Sequence, residues 1–263
     1  MLDCDATRLK SGSLPPMNWS DEGVILSVRP HGETAAVVEV FTRAHGRHLG
    51  LVHGGRSRRA RPVLQIGNHV DVSWKARLAD HLGHINVELI RGYAAAAMED
   101  PAALAGLTSL SALARLLPER DPHPNLYEVT LFVLAYLDDA SVWPALLARW
   151  ELALLDELGF GLDLTQCAAT GINDDLIYVS PKSGRAVSAS AGEPYRDKLL
   201  ALPPFLLPGR KAALAPGDVE RSFELTGHFL ETRVLGSREE TMPEPRARML
   251  ALLKRMNADG TAA

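Results

Sequence analysis

The hydrophobic pattern of the first third of the chain is typical of short β-strands. Ala35–Phe41 is an apolar run rich in valine, and His69–Trp74 and Ile85–Leu89 alternate polar and apolar residues, as half-buried strands do. Turn residues separate these runs, and no helix-length amphipathic segment interrupts them. Residues 17–92 are therefore predicted to form a small β-barrel, either of the OB type, which we prefer, or of the SH3-like type.

After residue 92 the pattern becomes helical. Apolar residues recur at three- and four-residue spacing in four segments, which cover residues 103–117, 124–137, 143–158 and 219–236. Between the third and fourth segments, residues 161–213 are rich in glycine, proline and serine and show weak periodicity. The sequence thus predicts an α+β protein whose helical domain, residues 93–160 and 214–263, is interrupted by a loop-rich insertion at 161–213.

Composition narrows the class of protein. Hydrophobic residues make up 46% of the 263 residues and charged residues 23%, which are the proportions of a folded globular chain. No apolar run is long enough to span a membrane, and residues 1–16 lack the apolar core of a secretory signal. We expect a cytoplasmic protein with a disordered extension over residues 1–16. Two cysteines, Cys4 and Cys167, cannot form a disulfide framework or a four-cysteine metal site.

Positive charge is concentrated in the predicted barrel of an acidic chain. The formal net charge is −4, yet no carboxylate occurs between Glu39 and Asp71. The arginines in that interval are Arg43, Arg47, Arg56, Arg58, Arg59 and Arg61. Guanidinium groups stay charged and donate paired hydrogen bonds to phosphate. The interval therefore predicts a polyanion-binding surface, and a solvated loop with scattered arginines is the alternative. Arg29, Lys75 and Arg77 are the further candidates for nucleic-acid contact in the barrel.

Nucleic-acid binding by this surface should be largely independent of base sequence. The strand-rich region predicts no recognition helix, and binding through phosphates is sensitive to salt. Gly54 and Gly55 would let the backbone approach a nucleic-acid strand closely. Phe41, Trp74 and Tyr93 are nearby aromatic residues on which bases could stack. Each type is more often found in a core, and the alternating pattern favours the core for Trp74.

The sequence contains no recognisable catalytic constellation. Phosphate-binding loops, dinucleotide-binding glycine motifs, zinc-protease motifs and nucleophile elbows are all absent. His123 and Asp174–Asp175 are the candidates that a small enzyme with its site in the helical half would use. Neither belongs to a nucleophile–base arrangement, so we predict a protein without enzymatic activity. His45 and His48 flank a turn, where a phosphate is a more plausible neighbour than a metal ion.

Several runs, taken in order, resemble the bacterial family of the DNA repair protein RecO. They are WSDEGVIL at residues 19–26, HGE at 31–33, GGR at 54–56, RWELALL at 149–155, ELGFGLDL at 157–164 and SRE at 237–239. The order and spacing of the runs carry the resemblance, which covers about residues 17–255. It implies an N-terminal OB-fold followed by a helical domain.

The resemblance also implies work in recombinational DNA repair. It implies binding to single- and double-stranded DNA, annealing of complementary strands, and loading of the RecA recombinase with RecR, RecF and single-stranded-DNA-binding protein. Arg149, in a run that resembles the family, is the residue that we expect to hold the acidic C-terminal tail of single-stranded-DNA-binding protein. An ion pair with Glu151 or a neighbouring helix is the alternative role for Arg149. The alternative function is an RNA-binding OB module with a helical docking domain, because charge alone does not separate RNA from DNA.

The insertion departs from the zinc-bearing members of that family. Where those members resemble Cys-x-x-Cys, this chain has CAATG at residues 167–171, and no cysteine follows Cys167. One thiol cannot make the tetrahedral site that structural zinc requires. We therefore expect no metal and no other cofactor, and an insertion held by residues such as Ile177, Tyr178 and Val179.

Overall fold

The computed structural model describes residues 17–78, 81–210 and 212–260, with side chains up to residue 258. The extension predicted at residues 1–16 lies outside these ranges. The first part consists of the strands β1 Met17–His31, β2 Ala35–Thr42, β3 Gly46–Val52, β4 His69–Ala76 and β5 His84–Arg91. These strands close into a barrel in the order β1-β2-β3-β5-β4. The α+β class with an N-terminal OB-type barrel is thereby confirmed.

Strand β1 closes the barrel because it pairs with two strands. Its first half pairs with β4 and its second half with β2. Gly23 lies where the two halves meet, and a Cβ atom there would stand 3.1 Å from the Thr42 side chain and 3.3 Å from that of Val72. The missing side chain therefore lets three strands approach closely. On the opposite side, the Leu51 N–H donates to the Gly83 carbonyl at 3.0 Å and joins β3 to the start of β5.

The helical part contains the four predicted helices and others that the hydrophobic pattern did not predict. The α-helices are α1 Tyr93–Ala97, α2 Pro101–Ala114, α3 Pro124–Ala135, α4 Trp143–Glu157, α5 Ala189–Gly192, α6 Asp218–Phe229 and α7 Glu244–Gly260. The Asp100 carboxylate caps α2 by accepting a hydrogen bond from the Ala102 N–H at 2.8 Å. Helix α6 continues as a π-helical turn over Leu230–Leu235, which accounts for the predicted end near Gly236. Helix α7 is the longest element that was missed.

The insertion at residues 161–213 contains more regular structure than the loop-rich prediction implies. Its strands are β6 Leu176–Val179, β7 Ala186–Ser188 and β8 Leu200–Ala201, which form one antiparallel sheet in the order β7-β6-β8. Strands of two to four residues are too short to show a two-residue period. Of the residues expected to hold the insertion, Val179 is fully buried, Tyr178 is partly buried and Ile177 is exposed.

The barrel and the helices share packed residues. One hydrophobic cluster fills the barrel around Ile25 and Trp74. A second cluster fills the helical part around Trp150, and it also includes Val24 and Phe41 of the barrel wall. The barrel wall is thus one side of the helical core, which fixes the barrel loops relative to the helices. No helix within the described ranges is long and apolar enough to cross a membrane.

Candidate nucleic-acid interface

The arginine segment, residues 56–61, lies between β3 and β4 and folds as consecutive turns. The Ser57 N–H donates to the Gly54 carbonyl at 2.9 Å and so turns the chain at the start of the segment. Leu64, just beyond the segment, is buried in the barrel core, and Ala60 and Val63 pack partly buried against that core. These apolar anchors lie on one side of the segment and leave the other side to solvent. The arginine segment is therefore anchored to the barrel by its apolar residues.

Three arginines of the segment are exposed cations. Arg58, Arg59 and Arg61 are all exposed, and within the described residues none of their side chains makes a hydrogen bond or an ion pair. Arg29 on β1 is exposed as well. A guanidinium without a carboxylate partner keeps its charge and its five N–H donors available for a phosphate. The structure thus places three of the predicted residues together on one loop.

Arg56 connects the arginine segment to the turn between β1 and β2. Its Nη1 donates to the Gly32 carbonyl at 2.8 Å and to the Glu33 carbonyl at 3.0 Å. Gly55 lies tightly against β2, since a Cβ atom at that position would stand 2.8 Å from the Ala36 Cβ. Arg56 is therefore exposed but partly engaged, and it orients the segment as well as adding charge to it.

Arg43 and Arg47 contact charged partners instead of facing solvent alone. Arg47 forms an ion pair with Glu39, whose side chain is 1% exposed, and the Arg115 Nε lies 2.8 Å from the other Glu39 oxygen. A buried carboxylate is costly unless it is paired, and Arg47 and Arg115 together neutralise Glu39. Arg43 is exposed and forms an ion pair with Glu128 of α3. Arg47 therefore has a structural role that its local sequence did not reveal.

A second basic area surrounds a depression where β4 leads into β5. The depression has a volume of about 440 Å³, and Lys75, Arg77, His81 and His84 are among the residues that line it. The His84 ring stacks on that of His53, with centroids 4.7 Å apart. Because His53 directly follows β3 and comes just before the arginine segment, the two basic areas are neighbours. Of these histidines, His53 lies in the interval without carboxylates that the sequence singles out. The proximity of His81 and His84 could not be predicted, since it depends on the pairing of β3 with β5.

The aromatic residues considered for base stacking lie in the cores. Phe41, Trp74 and Tyr93 are 0%, 3% and 9% exposed, which confirms the core position expected for Trp74 and removes all three as stacking platforms. Trp19 is a partly exposed aromatic residue that the sequence did not point to. Its ring stacks between His45 and Trp74, with centroids 4.2 and 5.6 Å away. Trp19 is therefore already stacked against two rings of the protein itself.

His48 lies inside the protein rather than beside a potential phosphate. It is buried, and its Nδ1 has no hydrogen-bond partner among the described residues. Burial, followed by the nearby charge of Arg120, lowers the pKa of His48 to about 4. The predicted proximity to phosphate is wrong for His48. His45 is partly exposed, and its Nδ1 lies 3.0 Å from the Asp21 carboxylate.

In the helical part, Arg149 binds the backbone of the insertion. Its Nε donates to the Phe205 carbonyl at 2.9 Å, and its Nη2 donates to the same oxygen. Glu151, offered as an alternative partner, is instead buried and lies 2.8 Å from the Nε of Arg246. Arg149 is still exposed overall, so its contact with a partner protein stays a prediction.

Cys167 is surrounded by hydroxyl groups where a zinc site would need further thiols. It is buried, and its sulfur accepts hydrogen bonds from the Ser188 N–H at 3.3 Å and the Ser188 hydroxyl at 3.4 Å. Burial raises the pKa of the Cys167 thiol, but hydrogen bonds from Ser188 and Thr170 outweigh it and lower the pKa to about 6. These residues do not fit a structural zinc ion. Across the described ranges, no three His, Cys, Asp or Glu side chains are placed to hold a metal.

The residues considered for an enzyme do not form a catalytic arrangement. His123 precedes α3 and is buried, with its Nδ1 2.7 Å from a Glu157 oxygen. Asp174 and Asp175 are exposed in the turn before β6. No nucleophilic side chain bonds to any of the three in the part of the chain that the structure describes. His123 and Glu157 instead form a contact between the start of α3 and the end of α4.

Known proteins match both parts of the chain. Residues 17–93 match the family model described as recombination protein O N terminal, and residues 98–242 match the one described as recombination protein O C terminal. A relative named DNA repair protein RecO from Mesorhizobium japonicum is 55% identical over 92% of this chain and 96% of its own length. Relatives of the same name from Methylobacterium nodulans and Brucella abortus are 56% and 53% identical, over 90% and 89% of this chain and 98% and 95% of their own lengths. With both halves matched in order and full-length relatives this similar, the chain belongs to the RecO family of DNA repair proteins.

Proposed function

We propose that the barrel binds single- and double-stranded DNA through its phosphates, and that the chain acts as a non-enzymatic mediator of recombinational repair. The observation that carries this proposal is the arginine segment. Arg58, Arg59 and Arg61 are exposed on a loop anchored to the barrel core, and they have no anionic partner within the described residues. Such cations gain most from a ligand that brings negative charge at regular spacing.

The contacts favour binding that does not depend on base sequence. The exposed arginines lie on a loop, and Lys75, Arg77 and His84 lie at strand ends around the neighbouring depression. Loops of this kind reach phosphates without inserting a helix into a groove. The OB fold commonly uses its loops for oligonucleotides. Phosphate contact explains why one surface would accept single and double strands alike.

Annealing and recombinase loading follow as the proposed consequences of this binding. Arginines that neutralise phosphates lower the repulsion between two complementary strands, which annealing requires. We infer that the chain anneals strands and assists RecA loading together with RecR and RecF, in the cytoplasm at the nucleoid. The family membership and the relatives' name, DNA repair protein RecO, support this proposal.

The acidic tail of single-stranded-DNA-binding protein is the proposed ligand of Arg149. Arg149 already holds the Phe205 carbonyl, so an incoming carboxylate would bind the remaining exposed part of its guanidinium. Arg149→Ala should weaken binding of a labelled tail peptide and leave DNA binding by the barrel intact. Arg196→Ala, which removes an exposed arginine elsewhere in the insertion, is the matched control. Equal peptide affinity in both variants would place the tail elsewhere.

Annealing distinguishes the DNA proposal from the RNA-binding alternative. The purified chain should accelerate annealing of complementary DNA oligonucleotides, both naked and coated with single-stranded-DNA-binding protein. The variant Arg58→Ala/Arg59→Ala/Arg61→Ala should lose that acceleration. Competition between single-stranded DNA and RNA of equal length completes the test. Strong preference for RNA together with no annealing would favour the RNA-binding module and contradict the proposal.

A further inference from the structure

The C-terminal helices enclose an apolar groove that the proposed function does not use. The groove lies between α6, its π-helical continuation and α7, and its volume is about 610 Å³. Phe223 of α6 and Leu250 and Leu253 of α7 line it, together with Leu200 of the insertion sheet. Phe223 and Leu253 are buried at its base, while Leu250 is only partly covered.

The groove continues beyond the start of α6. A second hollow of about 650 Å³ shares Val219, Glu220 and Leu253 with the first, so the two are adjacent. Leu214 and Met256 line this second part and are 42% and 39% exposed. Large apolar side chains that are exposed along adjacent hollows are typical of a surface that another segment covers.

Negative charge lines one wall of the groove. Glu220, Glu224 and Glu231 occur at spacings of four and seven residues, which places them on one face of α6 and its continuation. All three are exposed, and none makes an ion pair in the described parts of the chain. Lys254 is the cation that lines the groove from α7. This wall therefore attracts positive charge and repels an acidic tail or a nucleic acid.

The remaining cation at the groove is already neutralised. Arg246 is buried at the base, where its Nε lies 2.8 Å and its Nη2 lies 2.9 Å from the two carboxylate oxygens of Glu151. Burial opposes the charge of Arg246, but Glu151, with a smaller contribution from the charge of Glu231, outweighs burial and raises the pKa of the guanidinium. This pair therefore contributes no free charge to the groove, and the acidic wall determines its preference.

We propose that this groove binds an amphipathic helix of a partner protein whose apolar row is flanked by lysine and arginine. The apolar row would cover the exposed leucine and methionine side chains, and the basic flank would face Glu220, Glu224 and Glu231. Helices commonly dock into grooves in this way. The acidic row extends over twelve residues, whose ends are about 16 Å apart, which matches about three turns of a bound helix.

A model peptide provides the direct test. The probe is a fluorescent peptide of about fourteen leucine and lysine residues in amphipathic helical order, and the matched probe has glutamate in place of every lysine. The full chain should bind the lysine peptide at least tenfold more tightly than the glutamate peptide. Glu220→Lys/Glu224→Lys should weaken lysine-peptide binding about tenfold, because attraction becomes repulsion. Ala251→Trp should weaken it similarly by filling the groove, which Ala251 lines from an exposed position.

Matched variants separate the groove from the net charge of the protein. Glu99→Lys/Asp138→Lys changes the net charge equally at exposed sites that do not line the groove, and its peptide affinity should stay within about twofold of wild type. Equal losses in the two double variants, no effect of Ala251→Trp, or no binding of the lysine peptide would overturn the proposal. So would a wild-type dimer that Ala251→Trp dissociates, because the occupant would then be a second copy of the chain. Melting temperature and DNA binding verify that each variant folds. If Glu220→Lys/Glu224→Lys does not fold, Glu220→Gln/Glu224→Gln takes its place in the experiment.

Discussion

Arg47 and the arginine segment lie close together in the sequence and in opposite environments in the fold. Arg47 has a side chain that is 13% exposed and is paired with the buried Glu39. Arg58, Arg59 and Arg61 are exposed, with no side-chain partner in the described residues. The same chemical group therefore serves the fold in one place and is free for a ligand in the other. What decides the role of each arginine is the carboxylate it can reach.

The ion pair of Arg47 with Glu39 belongs to a charged network that joins the barrel to the helices. Glu39 lies on β2 and contacts Arg47 of β3 and Arg115, the C-cap residue that directly follows α2. The Arg47 Nε also donates to the Leu117 carbonyl at 3.0 Å. This network fixes the barrel on the helical part, whereas the arginine segment lies outside it. Changes to the Glu39 network should therefore affect stability, whereas changes to the arginine segment should affect DNA binding.

Removing the buried carboxylate should have the largest effect. Glu39→Gln keeps the shape of the side chain but removes the buried charge that Arg47 and Arg115 share, and it leaves Arg47 with only the Glu119 oxygen, 3.9 Å away. Breaking a buried pair costs about 3 kcal/mol. The free energy of unfolding, measured by urea denaturation, should fall by about this amount. The salt dependence of DNA binding by the folded variant should not change. Glu33→Gln, in the exposed turn between β1 and β2, is the control and should have wild-type stability.

Buried and exposed histidines of the barrel should differ in their effect on the pH dependence of stability. The pKa of His48 is lowered from 6.5 to about 4, so the unfolded chain takes up a proton at higher pH than the folded chain. His48 therefore does not reduce the free energy of unfolding above pH 6.5. It reduces that free energy progressively as the pH falls from 6.5 toward 4. After allowance for solvent screening, the loss should be about 1–2 kcal/mol. His48→Gln should flatten the stability profile in this window, and the exposed His53→Gln should not. Parallel profiles in wild type and His48→Gln would contradict the assignment.

Arg56 and Arg58 are neighbours in the arginine segment that should differ in their effect on stability. Arg56→Ala removes the hydrogen bonds to the Gly32 and Glu33 carbonyls and should cost about 1 kcal/mol of stability. Arg58→Ala should leave stability within about 0.5 kcal/mol of wild type. Both variants should bind DNA more weakly. Equal melting temperatures for the two variants would show that Arg56 does not hold the turn.

Treatment with a metal chelator should have the smallest effect on stability. Metal analysis of the purified chain should find no stoichiometric zinc, and a chelator should leave the melting temperature unchanged, because Cys167 contacts Ser188 rather than further thiols. A zinc-binding relative that carries the cysteine pairs would serve as the positive control. One zinc per chain would mean that the hydroxyl cluster around Cys167 is not the native arrangement.

Local patterns in the sequence predicted the elements whose contacts are local or regular. The alternation of His69–Trp74 marked β4, and the interval without carboxylates marked the arginine segment. Long-range contacts could not be predicted in this way. Arg115 is 76 positions from Glu39, so nothing near Arg47 indicated a network. The strands of the insertion are too short for periodicity, and the histidines beside Lys75 are neighbours only because β3 pairs with β5.

The slope of DNA affinity against salt tests the central claim most directly. If Arg58, Arg59 and Arg61 each contact one phosphate, replacing all three with alanine should lower the slope of log affinity against log salt by about 2 on single strands. The control replaces Arg248, Lys254 and Arg255 of α7, which are also exposed, and loses the same charge. We expect the control to keep the wild-type slope. A wild-type slope in the arginine-segment variant, or an equal drop in both variants, would contradict DNA binding by the arginine segment.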